Sequence, residues 1–447
     1  MKTFGPLPFA LLLLLVPGQG FALDLPRSGH SVFDRAVELV VDNFYDASAL
    51  DRFGAAVRRQ VTNERGALTA KSSEERVDAA VESVLASLAV SHTGRFTADT
   101  IDYYELADIF RFAIRNDIKR LFPPDGEVRY AGIGMVTRLV GGLRFVSDVY
   151  DGAPADRAGI RVGDEILSVD GLPYRQIASF EDKVGRTVDV RLRRHREAQP
   201  LAVTIAVERL QPLRTFEKAI ESSIAVTERE GRRIGYLRLW TLSTRDGLDI
   251  VARQLASGRL KDADGVIVDL RGRWGGGPPD AADLFVGGVP TFRLISRDGK
   301  DMLGTVRWRR PVVAIIDEGS RSGLELFAHA LKVNGIPLVG SRTAGALLAG
   351  RAFLLPDDSL LEVGCLRCGH RRRSSFGRPW RRTRHSRSLH PALCGRARPA
   401  TRRRNGGDAA HSRQGLKGSA TRQRYPIRSG GNCGCDRTAR QAPSPRR

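Results

Sequence analysis

Two stretches of the chain release strand-like runs into glycine-rich turns, and in both the backbone amides stand where a reacting group could meet them. The first reads Val266-Ile267-Val268-Asp269-Leu270-Arg271-Gly272-Arg273-Trp274-Gly275-Gly276-Gly277-Pro278. Consecutive glycines let the backbone approach a ligand with no side chain in between. Such amides suit an oxyanion hole or an anion nest, and a plain turn has the same composition. The second reads Val313-Ala314-Ile315-Ile316-Asp317-Glu318-Gly319-Ser320-Arg321-Ser322-Gly323-Leu324-Glu325. Ser322 stands between a strand and the first turn of a helix, where aligned amide dipoles stabilise developing negative charge. That position suits a nucleophile and equally suits an ordinary N-cap. A serine hydroxyl is a weak nucleophile at neutral pH and needs a base. His329, further along the same helix, is one candidate, although helical geometry turns it toward the sheet.

The elements that must hold these turns follow from periodicity. Phe33, Ala36, Val37, Val40 and Val41 recur at helical spacing, as do Val77, Ala80, Val81, Val84 and Leu85, which predicts a helical domain over residues 30–125. After Pro123-Pro124 the text changes to short alternating strands with glycine turns, from Tyr130-Ala131-Gly132-Ile133-Gly134-Met135 through Val203-Thr204-Ile205-Ala206-Val207, predicting a β domain over 126–209. From residue 210 strands (Ile234 to Leu239, Gly265 to Leu270, Val312 to Ile316) alternate with helical stretches (Leu248 to Leu255, Leu324 to Val333), an α/β pattern with a mostly parallel sheet. Residues 1–22, with Lys2, a leucine run and Gly20-Phe21-Ala22, read as an export signal that implies a periplasmic or extracellular protein. Its apolar core is short for a span of roughly 20 residues, so no stable membrane span is expected after its removal.

The order of these features resembles the C-terminal-processing (tail-specific) serine protease family, and its tricorn-core-like branch in particular. The resemblance covers residues 30–362 and rests on Gly132-Ile133-Gly134-Met135, on Ala158-Gly159-Ile160-Arg161-Val162-Gly163-Asp164-Glu165-Ile166-Leu167-Ser168-Val169-Asp170-Gly171, on the two glycine turns, and on Leu338-Val339-Gly340-Ser341-Arg342-Thr343-Ala344-Gly345-Ala346. It implies a multidomain α/β protein with an N-terminal helical domain, a PDZ-like domain and a ClpP/crotonase-like peptidase core over 210–362. It also implies a peptidase that needs no cofactor and no metal. On this match Ser322 is the nucleophile, and Gly323 and Gly275 supply the oxyanion amides. The lysine that much of the family uses as base is replaced by Ala346, with Leu347 and Leu348 beside it. Val90-Ser91-His92-Thr93-Gly94-Arg95-Phe96 is similar to the histidine motif of the tricorn-like members, making His92 the base, since an unperturbed imidazole titrates close to working pH. The PDZ-like stretch implies protein or peptide partners, with Ala131, Gly132, Ile133 and Gly134 holding a terminal carboxylate and Ile133 and Met135 lining an apolar pocket. Between Gly171 and Val188 there is little room for a groove helix.

The net charge of +22 would suggest a nucleic-acid or anionic partner, but it is unevenly placed. Residues 365–447 hold 23 Lys or Arg against two acids, Asp408 and Asp436, and all five cysteines, so the body is nearly neutral. Specific nucleic-acid binding by the body is therefore not expected. Cys365-x-x-Cys368 with His370 has the look of half a zinc site, yet Cys433-x-Cys435 is poorly spaced to complete it. The segment 363–447 is expected to be a disordered basic tail, its arginine-rich, unpatterned text fitting a reading-frame change near codon 362. The family would continue there with a glutamate that orients the histidine, so its loss would leave an inactive enzyme or a non-catalytic peptide-binding scaffold.

Overall fold

The computed structural model describes residues 23–62, 67–278, 280–287, 292–295, 297, 301–304 and 308–367. The expected signal segment and most of the basic tail lie outside them. Three helices of 13 residues each, Ser31–Asn43, Leu50–Thr62 and Glu74–Ala86, build the N-terminal bundle. Their apolar stripes close one core from Phe33, Val40, Phe53, Val57, Val81 and Val84. That core also takes in Leu355, Leu361 and Val363 from the far end of the chain.

The long-range partner is a three-stranded antiparallel sheet. Gly94–Phe96 pairs with Leu360–Arg367, with Gly94 opposite Glu362, and Leu360–Arg367 pairs in turn with Leu348–Leu354. Side chains alternate across a strand. Leu361 and Val363 therefore face the bundle, while Leu360 joins the large core that holds the peptidase sheet. The expectation that the core breaks off at residue 362 is corrected here: the strand runs on to Arg367, and Val363 is fully buried.

The second domain is a five-stranded antiparallel sheet in the order Met135–Val140, Leu143–Val149, Glu165–Val169, Thr187–Arg193, Leu201–Ala206. Val188, Val190 and Leu192 alternate inward with Thr187, Asp189 and Arg191 outward, the period of a half-buried strand. Tyr130–Gly132 and Glu208–Leu210 pair where the chain enters and leaves. No helix forms between Gly171 and Thr187; that stretch is a series of turns.

The third domain is a sheet ordered Leu338–Gly340, Val312–Ile316, Gly265–Asp269, Arg232–Arg238, Ala225–Arg229. The first four strands are parallel and the last is an antiparallel edge. Helices Pro212–Ser223, Arg245–Ala256 and Gly323–Val333 accompany it. Both glycine turns leave the carboxyl ends of neighbouring central strands, the position where open parallel sheets place their sites.

Candidate active site

The turn after Val312–Ile316 is fixed by a serine that does no chemistry. Ser320 is fully buried; its hydroxyl accepts from the Asp317 amide at 3.2 Å and donates to the Leu270 carbonyl at 2.8 Å, stapling this turn to the first glycine turn. Two residues on, Ser322 has φ 55° and ψ −123°, a conformation that costs a residue with a side chain about 1–3 kcal/mol. The Glu325 carboxylate accepts from the amides of Ser322 (3.1 Å), Gly345 (2.7 Å) and Ala346 (2.7 Å), so it ties the helix mouth to the following loop. The Ser322 hydroxyl donates to the Leu348 carbonyl at 3.4 Å. Ser322 is thus the N-cap of Gly323–Val333, in a capping box with Glu325.

The glycines are required by contact. A Cβ on Gly275 would lie 2.4 Å from the Gly323 nitrogen and 2.5 Å from the Ser322 Cβ, and one on Gly323 would lie 1.8 Å from the Gly276 carbonyl oxygen. Gly275 is held by its carbonyl, which accepts from the Leu242 amide at 3.1 Å and from the Thr241 and Ser243 hydroxyls at 3.1 and 3.0 Å. The amide N–H groups of Gly275 and Gly323 take part in no turn, cap or inter-element hydrogen bond among the described residues. Two unclaimed donors thus sit beside the Ser322 side chain, the arrangement that stabilises an oxyanion.

His92 arrives from the helical domain. It is 5% exposed, and its Nδ1 lies 3.3 Å from the Ser91 hydroxyl. Burial first, and then the Arg321 charge, hold its pKa down to about 4. The Arg321 guanidinium donates to the Ser91 carbonyl and lies 5.3 Å from the ring centre of Trp274. Thr93 Oγ1 accepts from the Gly364 amide at 3.1 Å, and the space over Gly364 is bounded by the Leu348 side chain and the His92 carbonyl. The three-stranded sheet therefore brings the histidine segment to the mouth of the serine helix. It does not close a Ser322–His92 hydrogen bond, since the hydroxyl goes to Leu348 and Nδ1 to Ser91. His329 sits within Gly323–Val333.

Sequence reasoning missed three groups. Glu362 is 4% exposed, faces the large-core side of its strand, and has an Oε2 with no hydrogen-bond partner. Burial pushes its carboxyl up to about 7 against the pull of Arg321. Arg321 itself links the histidine and serine segments. Glu105, fully buried, accepts from Trp274 Nε1 at 2.5 Å, Arg273 Nε at 2.8 Å and the Tyr150 hydroxyl. Burial raises its pKa, with Arg273 opposing. It joins the helix Ile101–Ile109, the end of the second domain's strand and the first glycine turn. No spacing could have revealed these partners, because each comes from a different segment.

In the second domain the amides of Ile133 and Gly134 make no turn or inter-element bond, while their carbonyls accept from Ala155 and Tyr150. The apolar-pocket expectation needs correction: Ile133 and Met135 are 1% and 2% exposed and seal that domain's core. Ala131 and Gly132 lie in the strand Tyr130–Gly132.

Residues 233–371 match Peptidase family S41, and residues 145–194 match the PDZ domain. This chain carries an S41 peptidase domain and a PDZ domain. The S41 match runs past residue 362, in line with the strand that continues to Arg367. A carboxyl-terminal-processing protease of Picosynechococcus sp. is 28% identical over 227 residues, 47% of this chain and 53% of the relative. The carboxy-terminal processing protease CtpB of Bacillus subtilis is 26% identical over 273 residues, 58% of this chain and 55% of the relative. The chain thus spans about half the length of the curated relatives it matches. Among solved structures, the photosystem II D1 C-terminal processing protease aligns over 77% of this chain and 88% of its own, at 19% identity and a TM-score of 0.45. The tricorn protease aligns over 76% and 32%, at 17% identity and a TM-score of 0.41.

Proposed function

We propose that this chain is an exported serine endopeptidase acting on protein or peptide substrates, with Ser322 as nucleophile. The observation that carries this reading is the strained Ser322 backbone beside the unclaimed amides of Gly275 and Gly323. In the reaction, the Ser322 hydroxyl turns from the Leu348 carbonyl toward His92. The imidazole takes its proton as Oγ bonds to the substrate carbonyl carbon. The carbonyl oxygen becomes the oxyanion between the two amides. His92 returns the proton to the leaving amine, and water then releases the acyl group by the same route. The PDZ domain would hold the substrate's terminal carboxylate on the amides around Ile133 and Gly134. Among the described residues, no helix is long and apolar enough to cross a membrane.

Labelling with a fluorophosphonate tests the nucleophile. Wild type should label, and Ser322→Ala should not. His92→Ala should label about 100- to 10,000-fold more slowly. A second reading, a non-catalytic peptide-binding scaffold, is favoured by the absence of a Ser322–His92 bond and of a lysine at Ala346. Absence of Ser322-dependent labelling, with peptide binding retained, would establish it.

A further inference from the structure

The strand registers bring several turns to one end of the PDZ sheet. Phe145 pairs antiparallel with Glu165, and Val169 with Val190, so the Val140–Leu143 hairpin tip, the turn after Val169 and the approach to Thr187 share that end. Five of the ten large hydrophobic side chains that stand exposed among the described residues gather there: Leu139 (60%), Val140 (48%), Leu143 (48%), Leu172 (67%) and Val184 (39%). None of them serves the core of its own domain. Arg138, Arg144, Arg175 and Arg186 flank them, and none of the four forms an ion pair among the described residues. Of the acids nearby, Asp170 is paired with Lys183 at 2.8 Å, and Glu181 is close enough to Tyr104 of the helical domain to raise its pKa. Asp182 and Asp189 are left exposed, with Asp189 accepting from the Thr204 hydroxyl at 2.6 Å.

We propose that this rim docks on an anionic lipid bilayer. Aliphatic side chains on projecting turns, ringed by arginines, enter the boundary between headgroups and acyl chains while the guanidinium groups stay with the phosphates. Projecting turns offer no concave pocket for a protein anchor, whereas a bilayer conforms to them. The orientation has a functional result, which rests on the PDZ reading above. Met135–Val140 is an edge strand of its sheet, with the Gly134 turn at one end and the rim at the other. A peptide added along that edge with its carboxylate at Gly134 would run back toward the lipid surface. The substrates favoured would be chain ends that emerge close to a membrane.

The test uses the full chain carrying Leu143→Trp, on vesicles of phosphatidylcholine mixed with phosphatidylglycerol and containing brominated lipid. Emission from the new tryptophan, taken as the difference from the unsubstituted chain, should shift to the blue and be quenched, and quenching should persist when salt screens long-range attraction. Val333→Trp, on an exposed face of the peptidase domain, should stay unquenched. Adding Leu139→Ser and Val140→Ser should lower the vesicle partition about tenfold. The basic segment beyond residue 365 can bind anionic vesicles by charge alone. Vesicle binding without quenching at position 143 would therefore overturn the proposal. So would equal quenching on pure phosphatidylcholine, or self-association that the serine substitutions abolish, which would make the rim a protein interface. None of these outcomes depends on peptidase activity.

Discussion

His92 and Glu362 lie in strand-paired segments and are pushed off their usual titration ranges in opposite senses. His92, depressed to about 4, stays neutral in the folded chain while an unfolded histidine titrates near 6.5. It is available as a base well into acid, and its contribution to stability is present above pH 6.5 and lost as pH falls toward 4. Because burial is the larger cause, Arg321→Met should raise the His92 pKa only part of the way to 6.5, as read from its ring-proton shift by NMR. Glu362, raised to about 7, has the reverse linkage. The folded chain keeps its proton while the unfolded chain loses it near 4.5, so stability is full below 4.5 and falls as pH rises through 7. Glu362→Gln should therefore stabilise the protein above pH 7, by up to about 3 kcal/mol, and do little below 4.5. A lower melting temperature for that variant at pH 8 would contradict this. Ser322 and His92 could be singled out in the sequence because each sits in a local motif. Glu362 was not, because only the meeting of distant strands buries a carboxylate that looks ordinary in its own segment.

At the scale of elements, two contacts decide the site. One is the abutment of the glycine turns, with the Gly276 carbonyl filling the space that a Gly323 side chain would need. Gly323→Ala should push the turns apart, and a misplacement of about an ångström costs roughly a hundredfold in rate. Fluorophosphonate labelling should fall by at least that factor while the fold's circular dichroism persists. The other contact is the strand Leu360–Arg367, shared by two cores. Leu361→Ala, at a fully buried position, should cost about 2–5 kcal/mol in urea titration. Probes in the helical bundle should report that loss, although the residue lies near the far end of the chain. The parallel strands were legible almost to the residue: the strand expected at Val312 to Ile316 is Val312–Ile316, and the helix expected from Leu324 begins at Gly323. The short strand Gly94–Phe96 was not, because three residues give no period and its partner comes from the other end of the sequence.

Over the whole molecule, charge and fold are separated along the chain. Residues from 365 onward hold 23 basic residues against two acids, of a total of +22, so nearly all of the net positive charge belongs to that segment rather than to the peptidase or PDZ domains. A chain ending at residue 371 should lose most of its retention on a cation exchanger and keep its melting temperature. A drop in melting temperature would show that later residues contribute to the fold.

The pairing of Gly94–Phe96 with Leu360–Arg367 also sets an order of events at the ribosome. The helical bundle and the serine turn are synthesised before the strand that brings the His92 segment to the serine helix. A nascent chain therefore carries both groups over the 38 residues from Ser322 to Leu360 without bringing them to one address. The meeting of the two segments waits until the strand Leu360–Arg367 slots into place.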